Sequence, residues 1–169
     1  MIHLYIGNGK GKSTAVTGMA IRLLSYNKKV LLVSFLKGGN SGELVWLRNN
    51  SEIKELYQES LTKFVKDMTS EEYEETRQRQ KQLLEEAIAL SQEMDAVILD
   101  EFTDIVDLKM INPVETVDAI TKLNRNCEVI ITGHHALNNL IELADYYTEF
   151  IQHKHPFTRG QKARKGIEY

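Results

Sequence analysis

Residues 2–25 of the chain read IHLYIGNGKGKSTAVTGMAIRLLS, and three kinds of pattern follow one another within them. Ile2 to Ile6 is a short apolar run, which is typical of a strand buried on both faces. The following residues, to Gly11, include three glycines, and segment 14–25 then has the apolar spacing of a helix. A strand, a glycine loop and a helix in this order predict a loop that binds phosphate.

The loop GNGKGKST contains each group that phosphate binding needs. Glycines lack a Cβ, so backbone N–H groups can turn inward and approach a phosphate closely. The helix adds the partial positive charge of its N-terminus, Lys12 adds a mobile cation, and the Ser13 hydroxyl is placed to bind Mg²⁺. The predicted nucleotide-binding residues are Gly7, Asn8, Gly9, Lys10, Gly11, Lys12, Ser13 and Thr14.

The spacing of this loop departs from the common motif, in which four residues separate the first glycine from the Gly-Lys pair. Only three residues lie between Gly7 and Gly11, and Lys10 is an additional cation among them. A shortened loop need not hold a triphosphate in the usual register. Ordinary hydrolysis of a nucleoside triphosphate therefore does not follow from the motif.

Apolar runs alternate with segments of helical period along the rest of the chain. This alternation predicts a parallel sheet with helices on both sides. With the phosphate loop after the first strand, we expect an α/β, P-loop NTPase-like (RecA-like) three-layer fold with a mainly parallel central sheet. No internal repeat or low-complexity linker divides residues 1–169, so we expect one domain. The predicted strands are 2–6, 30–36, 96–99, 128–132 and, less regular, 146–152; the predicted helices are 14–25, 70–93, 113–124 and 136–144.

Two of the predicted helices have recognisable start signals. Asn112 precedes Pro113, a residue suited to the first helical position, and is the predicted N-cap. Ser70, followed three residues later by Tyr73, is a partial capping box at the start of the long helix.

The stretch DAVILDEFTD, residues 95–104, ends an apolar run in two carboxylates. Ligands bind at the carboxyl edge of the strands in open α/β sheets, so Asp100 and Glu101 are expected beside the phosphate loop. Either can reach Mg²⁺ directly or through water, and the predicted metal ligands are Ser13, Asp100 and Glu101. In many ATPases a glutamate at this position orients water instead, and the sequence leaves both roles open. If the strand persists, the two carboxylates point to opposite faces.

Two further strand ends are expected at the same edge. SFLKGGNSGE, residues 34–43, places Lys37 there, and ITGHH, residues 131–135, places His134 there. We predict that both side chains bind the nucleotide. Loop histidines are commonly only solvated, so that alternative stays open for His134.

The net charge of −3 is unevenly distributed. Residues 1–42 carry six Lys or Arg and no acid, 43–149 carry 10 basic and 23 acidic side chains, and 150–169 carry five basic and one acidic. If the basic ends meet in the fold, they form a positive site that suits a small polyanion better than a long nucleic acid. We therefore expect no nucleic-acid partner.

Cysteine content and hydropathy indicate the compartment. The single Cys127 excludes an internal disulfide and, at the start of an apolar run, is expected to be a core residue. A reducing cytoplasm is the expected location. No stretch approaches the roughly 20 apolar residues of a membrane span, so we expect neither membrane insertion nor secretion.

In this order, the motifs resemble those of the P-loop type ATP:corrinoid adenosyltransferases, which attach an adenosyl group to cobalt in vitamin B12 metabolism. The resemblance spans nearly the whole chain, although residues 51–93 match loosely, and both the C-terminal motif and the short phosphate loop are traits of that family. The motifs are GNGKGKST, FLKGG with a following GE, VILDEFTD, VIITGHHA, ELAD and KHPFTRGQKARKGIEY.

The resemblance implies a specific reaction. Cobalt(I) of a reduced corrinoid, cob(I)alamin or cob(I)yrinic acid a,c-diamide, attacks the 5′ carbon of ATP, and triphosphate leaves. It implies Mg²⁺ as cofactor, Lys12 as a cation for the leaving group, Glu101 as a metal ligand, and ATP reversed relative to other P-loop proteins. It also implies a homodimer, an electron-donating reductase or flavoprotein, and a cationic tail, 154–165, that closes over the site.

His134, Phe64 and Trp46 determine how far the family pattern extends to this chain. Family members commonly have Arg where this chain has His134. Some members use a Phe/Trp pair to displace the lower cobalt ligand, and Phe64 is the candidate here; packing of Phe64 against the long helix is the equal alternative. Trp46 is expected to be a packing residue.

Two other kinds of function remain compatible with the sequence. One is an ATP-gated module that binds a nucleotide or corrinoid without adenosyl transfer. The other is a RecA-like ATPase acting on nucleic acid, which the acidic middle and the shortened loop disfavour. Release of triphosphate distinguishes the transferase from both.

Overall fold

The computed structural model describes residues 1–38, 42–61 and 63–167. Within these residues six strands form one sheet in the order β3-β2-β4-β5-β1-β6, and each neighbouring pair is parallel. The expected α/β fold with a parallel central sheet is therefore confirmed. The strands are β1 (Ile2–Ile6), β2 (Val30–Ser34), β3 (Ile53–Leu56), β4 (Ala96–Asp100), β5 (Glu128–Gly133) and β6 (Tyr146–Glu149).

The central strands are apolar on both faces because each face packs against helices. Along β2, Leu31 and Val33 belong to one core cluster, whereas Val30 and Leu32 belong to a second. Successive side chains of a strand point to opposite faces, so the two clusters are the two sides of the sheet. The sheet and the two helical layers make the expected three layers.

Helices from different parts of the chain fill these two layers. The first cluster contains residues of α3, α4, α5 and α6, and the second contains residues of α1 and α2. The helices are α1 (Lys12–Leu24), α2 (Gly42–Leu47), α3 (Ser70–Leu90), α4 (Phe102–Asp107), α5 (Pro113–Asn124) and α6 (Asn138–Leu143). No helix among the described residues is long and apolar enough to cross a membrane.

Several expected element boundaries were wrong by a few residues. β2 ends at Ser34 because Leu36 has a φ of 54°, a left-handed conformation that a strand cannot contain. α3 ends at Leu90, and the turn 91–93 is a 3₁₀ helix. β6 ends at Glu149 rather than at residue 152. By contrast, β1 and α5 have the predicted bounds.

The long helix begins differently from the prediction. Thr69, not Ser70, is the N-cap: its hydroxyl accepts a hydrogen bond from the Glu72 backbone, and the Glu72 carboxylate accepts one from the Thr69 backbone. This reciprocal pair is a full capping box, which the Ser70 register cannot make because Tyr73 lacks a carboxylate.

The predicted N-cap Asn112 of α5 is confirmed, since its side chain accepts a hydrogen bond from the Val114 N–H.

Sequence reasoning missed β3, α2 and α4, which have four to six residues each. Trp46, in α2, is 61% exposed, so the expectation that it is a packing residue was wrong. Cys127 is buried, as expected.

Candidate active site

The phosphate loop follows β1 and is fixed by its neighbours in the sheet. The Gly7 N–H donates to the carbonyl of Gly133 over 3.2 Å, and the Gly9 N–H donates to the carbonyl of Phe150 over 2.8 Å. A Cβ on Gly7 or Gly9 would overlap the Phe150 backbone. These glycines are therefore required by the close approach of the chain after β6, as well as by any phosphate.

The N-terminus of α1 opens at the end of this loop. Gly11 occupies the N-cap position with a φ of 109°, and no described side chain caps the helix there. The first N–H groups of a helix have no intrahelical partner and favour an anion. The helix start therefore provides the positive end that the loop motif predicts.

Lys12 folds back over the loop. Its ammonium donates to the carbonyls of Gly7 and Gly9, the latter over 3.1 Å. Burial lowers the pKa of Lys12, while the carboxylates of Asp104, Glu101 and Asp100 favour its charge. Lys12 is thus a half-buried cation at the loop.

Asp100, the last residue of β4, is bonded to the start of α1 and to the end of β5. The Ser13 hydroxyl donates to its carboxylate over 3.2 Å, and the Thr132 hydroxyl donates to its Oδ1 over 2.6 Å. Asp100 is 5% exposed, so these donors replace the solvation that the carboxylate loses. Thr132 is a site residue that sequence reasoning missed, although a polar side chain at the end of a buried strand was a usable signal.

Glu101 lies outside the strand. It has a φ of 61° and is the N-cap of α4, while its N–H donates to the Thr132 hydroxyl over 2.8 Å. Asp100 and Glu101 were expected to point to opposite faces only if the strand persisted, and it does not, because the strand ends at Asp100 and the backbone turns. Both carboxylates instead contact Lys37.

Lys37 joins the two carboxylates to Ser13. Its Nζ donates to Oδ2 of Asp100, lies 3.2 Å from Oε1 of Glu101, and donates to the Ser13 hydroxyl over 3.3 Å. Burial disfavours the Lys37 charge, but the two carboxylates outweigh it and raise the pKa of Lys37.

The pKa of Glu101 is also raised. Burial is the main cause, and the like charge of Asp100 adds to it, while Lys37 opposes both. Because Lys37 is shared by two carboxylates, its charge does not fully offset the effect of burial on the pKa of Glu101.

His134 follows β5 and is held by α4. Its backbone N–H donates to Oδ1 of Asp104 over 3.0 Å, and its ring Nδ1 lies 3.0 Å from the same oxygen. Asp104 therefore orients the ring. Sequence reasoning did not identify Asp104 as a positioning residue.

The loop from Gly9 to Thr14 lines one cavity of about 610 Å³ together with Glu101, Thr132 and His134. Gly166 and Ile167 also line it, so the two basic segments of the chain do meet at the phosphate loop. The lining consists of Gly9, Lys10, Gly11, Lys12, Ser13, Thr14, Gly42, Glu43, Glu101, Thr132, His134, Gly166 and Ile167.

Two predicted site residues lie differently. Asn8 accepts a hydrogen bond from the Gln152 N–H through its side chain, so it braces the loop against the chain after β6. Phe64 is 78% exposed, which makes the packing alternative wrong, and it does not line the phosphate-loop cavity.

The oxygen atoms of Ser13, Asp100 and Glu101 suit a hard cation such as Mg²⁺, and they already surround the ammonium of Lys37. Among the described residues no group of three His, Cys, Asp or Glu side chains could hold a metal ion. Mg²⁺ is commonly bound by one or two carboxylates together with substrate phosphates. The donor set therefore fits a metal that arrives with a phosphate ligand.

Comparison with known proteins adds independent information. The family model described as "ATP:corrinoid adenosyltransferase BtuR/CobO/CobP" matches residues 1–169. The chain is 32% identical to the "Corrinoid adenosyltransferase" of Escherichia coli (strain K12), over all of this chain and 85% of that protein. It is 30% identical to the "Corrinoid adenosyltransferase CobA" of Salmonella typhimurium over the same shares. A third relative, the "Corrinoid adenosyltransferase" of Pseudomonas aeruginosa, is 31% identical over 98% of this chain and 82% of its own length.

Proposed function

Because this chain belongs to the ATP:corrinoid adenosyltransferase family, we propose that its phosphate loop holds ATP by the triphosphate group that leaves during the reaction. The chain is an enzyme that uses ATP to adenosylate a corrinoid. The observation that carries the proposal is the meeting of the phosphate loop, Lys12 and Glu101 in one cavity, with Asp100 held against its Ser13 hydroxyl. That a corrinoid accepts the adenosyl group follows from membership of the family.

The proposed reaction balances without a protein nucleophile. Cobalt(I) of the reduced corrinoid donates an electron pair to the 5′ carbon of ATP and becomes alkylated cobalt(III). The bond between that carbon and the α-phosphate oxygen breaks, and triphosphate leaves with the electron pair. The protein must position the two substrates and stabilise the charge that develops on the triphosphate.

Several cations perform that electrostatic task. Lys12 and the N-terminus of α1 lie at the loop itself. Lys37 lies further along the carboxyl edge of the sheet, paired with Asp100, and Asp104 orients the His134 ring there. Charge placed where the leaving group forms lowers the barrier more than charge on the ground state does.

Ser13, Asp100 and Glu101 would hold Mg²⁺ together with the triphosphate oxygens. The ion would supply two further positive charges to the leaving group. Thr132 would keep the Asp100 carboxylate in place through its hydrogen bond. Glu101 is a metal ligand in this assignment rather than a base, which agrees with a carboxylate that already faces a cation.

The corrinoid would bind beyond this cavity, near the carboxyl end of β3. A second cavity of about 560 Å³ lies there, lined by residues 55–60 and Arg79. A Cβ at Gly38, next to Lys37, would lie 3.0 Å from the Leu61 carbonyl oxygen, so the chain that leads to Phe64 passes this edge of the sheet. The exposed Phe64 ring would then replace the lower cobalt ligand, which favours the four-coordinate state.

Replacement of Phe64 by Ala tests that role. We expect strongly slowed turnover when cobalt(II) must be reduced on the enzyme, and a mild effect when chemically prepared cobalt(I) is supplied. The melting temperature should not change, because the ring is exposed. Equal slowing in both assays would contradict the role.

A homodimer, a flavoprotein or other reductase as electron donor, and a cytoplasmic location complete the proposal. The family resemblance supports the first two. The single buried thiol of Cys127, whose pKa burial raises to about 11, is compatible with a reducing compartment.

An anaerobic assay with reduced cobalamin and Mg-ATP tests the function. Adenosyl transfer predicts the spectral change from cobalt(I) to alkylated cobalt(III), dependent on both ATP and protein. A binding module would leave the cobalt spectrum without a cobalt–carbon product. An ATPase would release phosphate whether or not the corrinoid is present.

A further inference from the structure

The ammonium group of Lys37 lies among the three side chains to which we assign Mg²⁺. The nitrogen donates to Asp100, is 3.2 Å from a Glu101 oxygen and is 3.3 Å from the Ser13 hydroxyl. A single cation thus contacts an oxygen of every proposed metal ligand on the protein. This coincidence is not required by phosphate binding, for which Lys37 could have pointed toward the loop alone.

We propose that Lys37 occupies the cation position until a triphosphate binds, so that a divalent metal enters with ATP and not before it. This inference rests on the proposed function, in particular on the assignment of the metal to Ser13, Asp100 and Glu101. It makes Lys37 a residue that determines the order of binding.

Mg²⁺ and the Lys37 ammonium cannot share these ligands. Mg²⁺ binds oxygen at about 2.0–2.1 Å in octahedral geometry and keeps several waters. A metal at that distance from the same oxygens would lie against the Lys37 nitrogen, and the two positive charges would repel strongly in a half-buried site. Entry of the metal therefore requires the ammonium to move away.

In the absence of nucleotide, the protein favours its own cation. Lys37 is part of the chain, so its ammonium is always beside the site, whereas a metal ion must be taken up from solvent. The Lys37 side chain is 26% exposed, so it is mostly shielded from water. The metal would find two carboxylates and a hydroxyl, and no larger group of His, Cys, Asp or Glu among the described residues could hold it. A strongly hydrated ion gains too little from that set to displace the lysine.

A bound triphosphate reverses this preference. Its oxygens complete the coordination of the metal next to Ser13, which stands beside Lys12 at the start of α1. The same oxygens offer Lys37 a new anionic partner within reach of its flexible stem. Each cation then has a better ligand set, and Glu101 faces a cation in both arrangements.

Binding of Mn²⁺ alone, followed by electron paramagnetic resonance without any nucleotide, tests the inference. The variants are Lys37→Met, which removes the charge and keeps much of the length, and Lys37→Gln, a second replacement in case the first does not fold. Lys12→Met is the matched control, since it removes a neighbouring positive charge that bonds loop carbonyls rather than the proposed ligands. The double variant Lys37→Met with Asp100→Asn locates the metal.

We expect Lys37→Met and Lys37→Gln to bind Mn²⁺ alone about tenfold more tightly than the wild type, with about threefold or less for Lys12→Met. Adding Asp100→Asn to Lys37→Met should abolish the gain in Mn²⁺ affinity. Mg²⁺ alone should likewise raise the melting temperature of the Lys37 variants more than that of the wild type.

Two results would overturn the inference: equal Mn²⁺ affinity in the wild type and the Lys37 variants, or an equal gain in Lys12→Met. If the wild type still binds Mn²⁺ with ATP in a manner that requires Asp100, only the role of Lys37 fails. If the gain in Lys37→Met survives Asp100→Asn, the metal lies elsewhere and the proposed metal assignment fails with it.

Discussion

Lys12 and Lys28 carry the same charge, but their surroundings give them different tasks. Lys12 bonds the carbonyls of the phosphate loop, whereas Lys28 is exposed and pairs with Asp95 before β2. We expect Lys12→Ala to reduce turnover by on the order of 100-fold or more, because it removes charge that stabilises the leaving group. The melting temperature should change little.

Lys28→Ala is the control for that measurement. It removes an equal charge just before the amino end of β2, whereas the cavity lies at the carboxyl edge of the sheet. It should leave turnover within about twofold because Lys28 does not line the cavity, and the loss of an exposed ion pair costs little stability. Turnover of Lys12→Ala within threefold of the wild type would remove the phosphate loop from the reaction.

Glu101 offers a prediction about pH. Burial raises the pKa of Glu101 in the folded state, so protonation favours folding. This contribution is fully present below the unfolded pKa of about 4.5 and is lost as the pH rises through the folded pKa. At pH 7 the ionised carboxylate therefore costs stability, and Glu101→Gln should raise the melting temperature there.

Melting curves from pH 4 to pH 8 check this sign. The advantage of Glu101→Gln should shrink toward pH 4, where the wild-type carboxyl is protonated in both states. The same variant should need more Mg²⁺ for turnover, because a charged ligand is lost. A lower melting temperature at pH 7 would mean that the Lys37 pairing outweighs burial.

The residue types at the site could be predicted because strand ends and the glycine loop indicate them directly. Ser13, Lys37 and the acidic pair at 100–101 all come together as expected from the edge of a parallel sheet. Thr132, Asp104 and the Phe150 backbone could not be found this way. Their contacts depend on β5, α4 and β6 lying beside the loop, which no local pattern encodes.

At the scale of elements, the phosphate loop lies in close contact with the chain after β6. Gly7 has a φ of 126°, and a Cβ there would overlap the Phe150 carbonyl. We expect Gly7→Ala to destabilise the fold by about 1–3 kcal/mol, because it combines backbone strain with overpacking. Turnover should fall as the loop is displaced.

Gly18→Ala is the matched control within α1. A Cβ at Gly18 meets no atom within 4 Å, and alanine favours a helix interior over glycine by about 0.5–1 kcal/mol. Chemical denaturation should therefore show opposite signs for the two glycine variants. Equal stability of Gly7→Ala and the wild type would contradict the described loop geometry.

Element length explains which parts of the fold the sequence predicted. β1 and α5 have the expected bounds because an apolar run and a capped amphipathic helix each carry a complete pattern. The four-residue β3, with its charged Lys54 and Glu55, and the six-residue α2 and α4 are too short for a period to be recognised. Tertiary contacts determine them.

The order of strands in the whole molecule places the chemistry. β5 lies between β1 and β4, so Thr132 can bond Asp100 on one side while Gly133 accepts from the loop on the other. Both basic ends of the chain reach this edge, where Lys10 and Lys12 line the cavity together with Glu43 and Glu101. A cavity of this size, with Lys12 and the N-terminus of α1 at the loop, suits ATP better than a long polyanion.

The central claim is that this cavity holds the triphosphate of ATP as a leaving group. Phosphorus NMR of the products of one anaerobic turnover with cobalt(I) corrinoid and Mg-ATP tests it most directly. We expect one intact triphosphate for each alkylated cobalt, none without the corrinoid, and none with Lys12→Ala on the same timescale. Release of phosphate and ADP, or of triphosphate without a cobalt–carbon product, would contradict it.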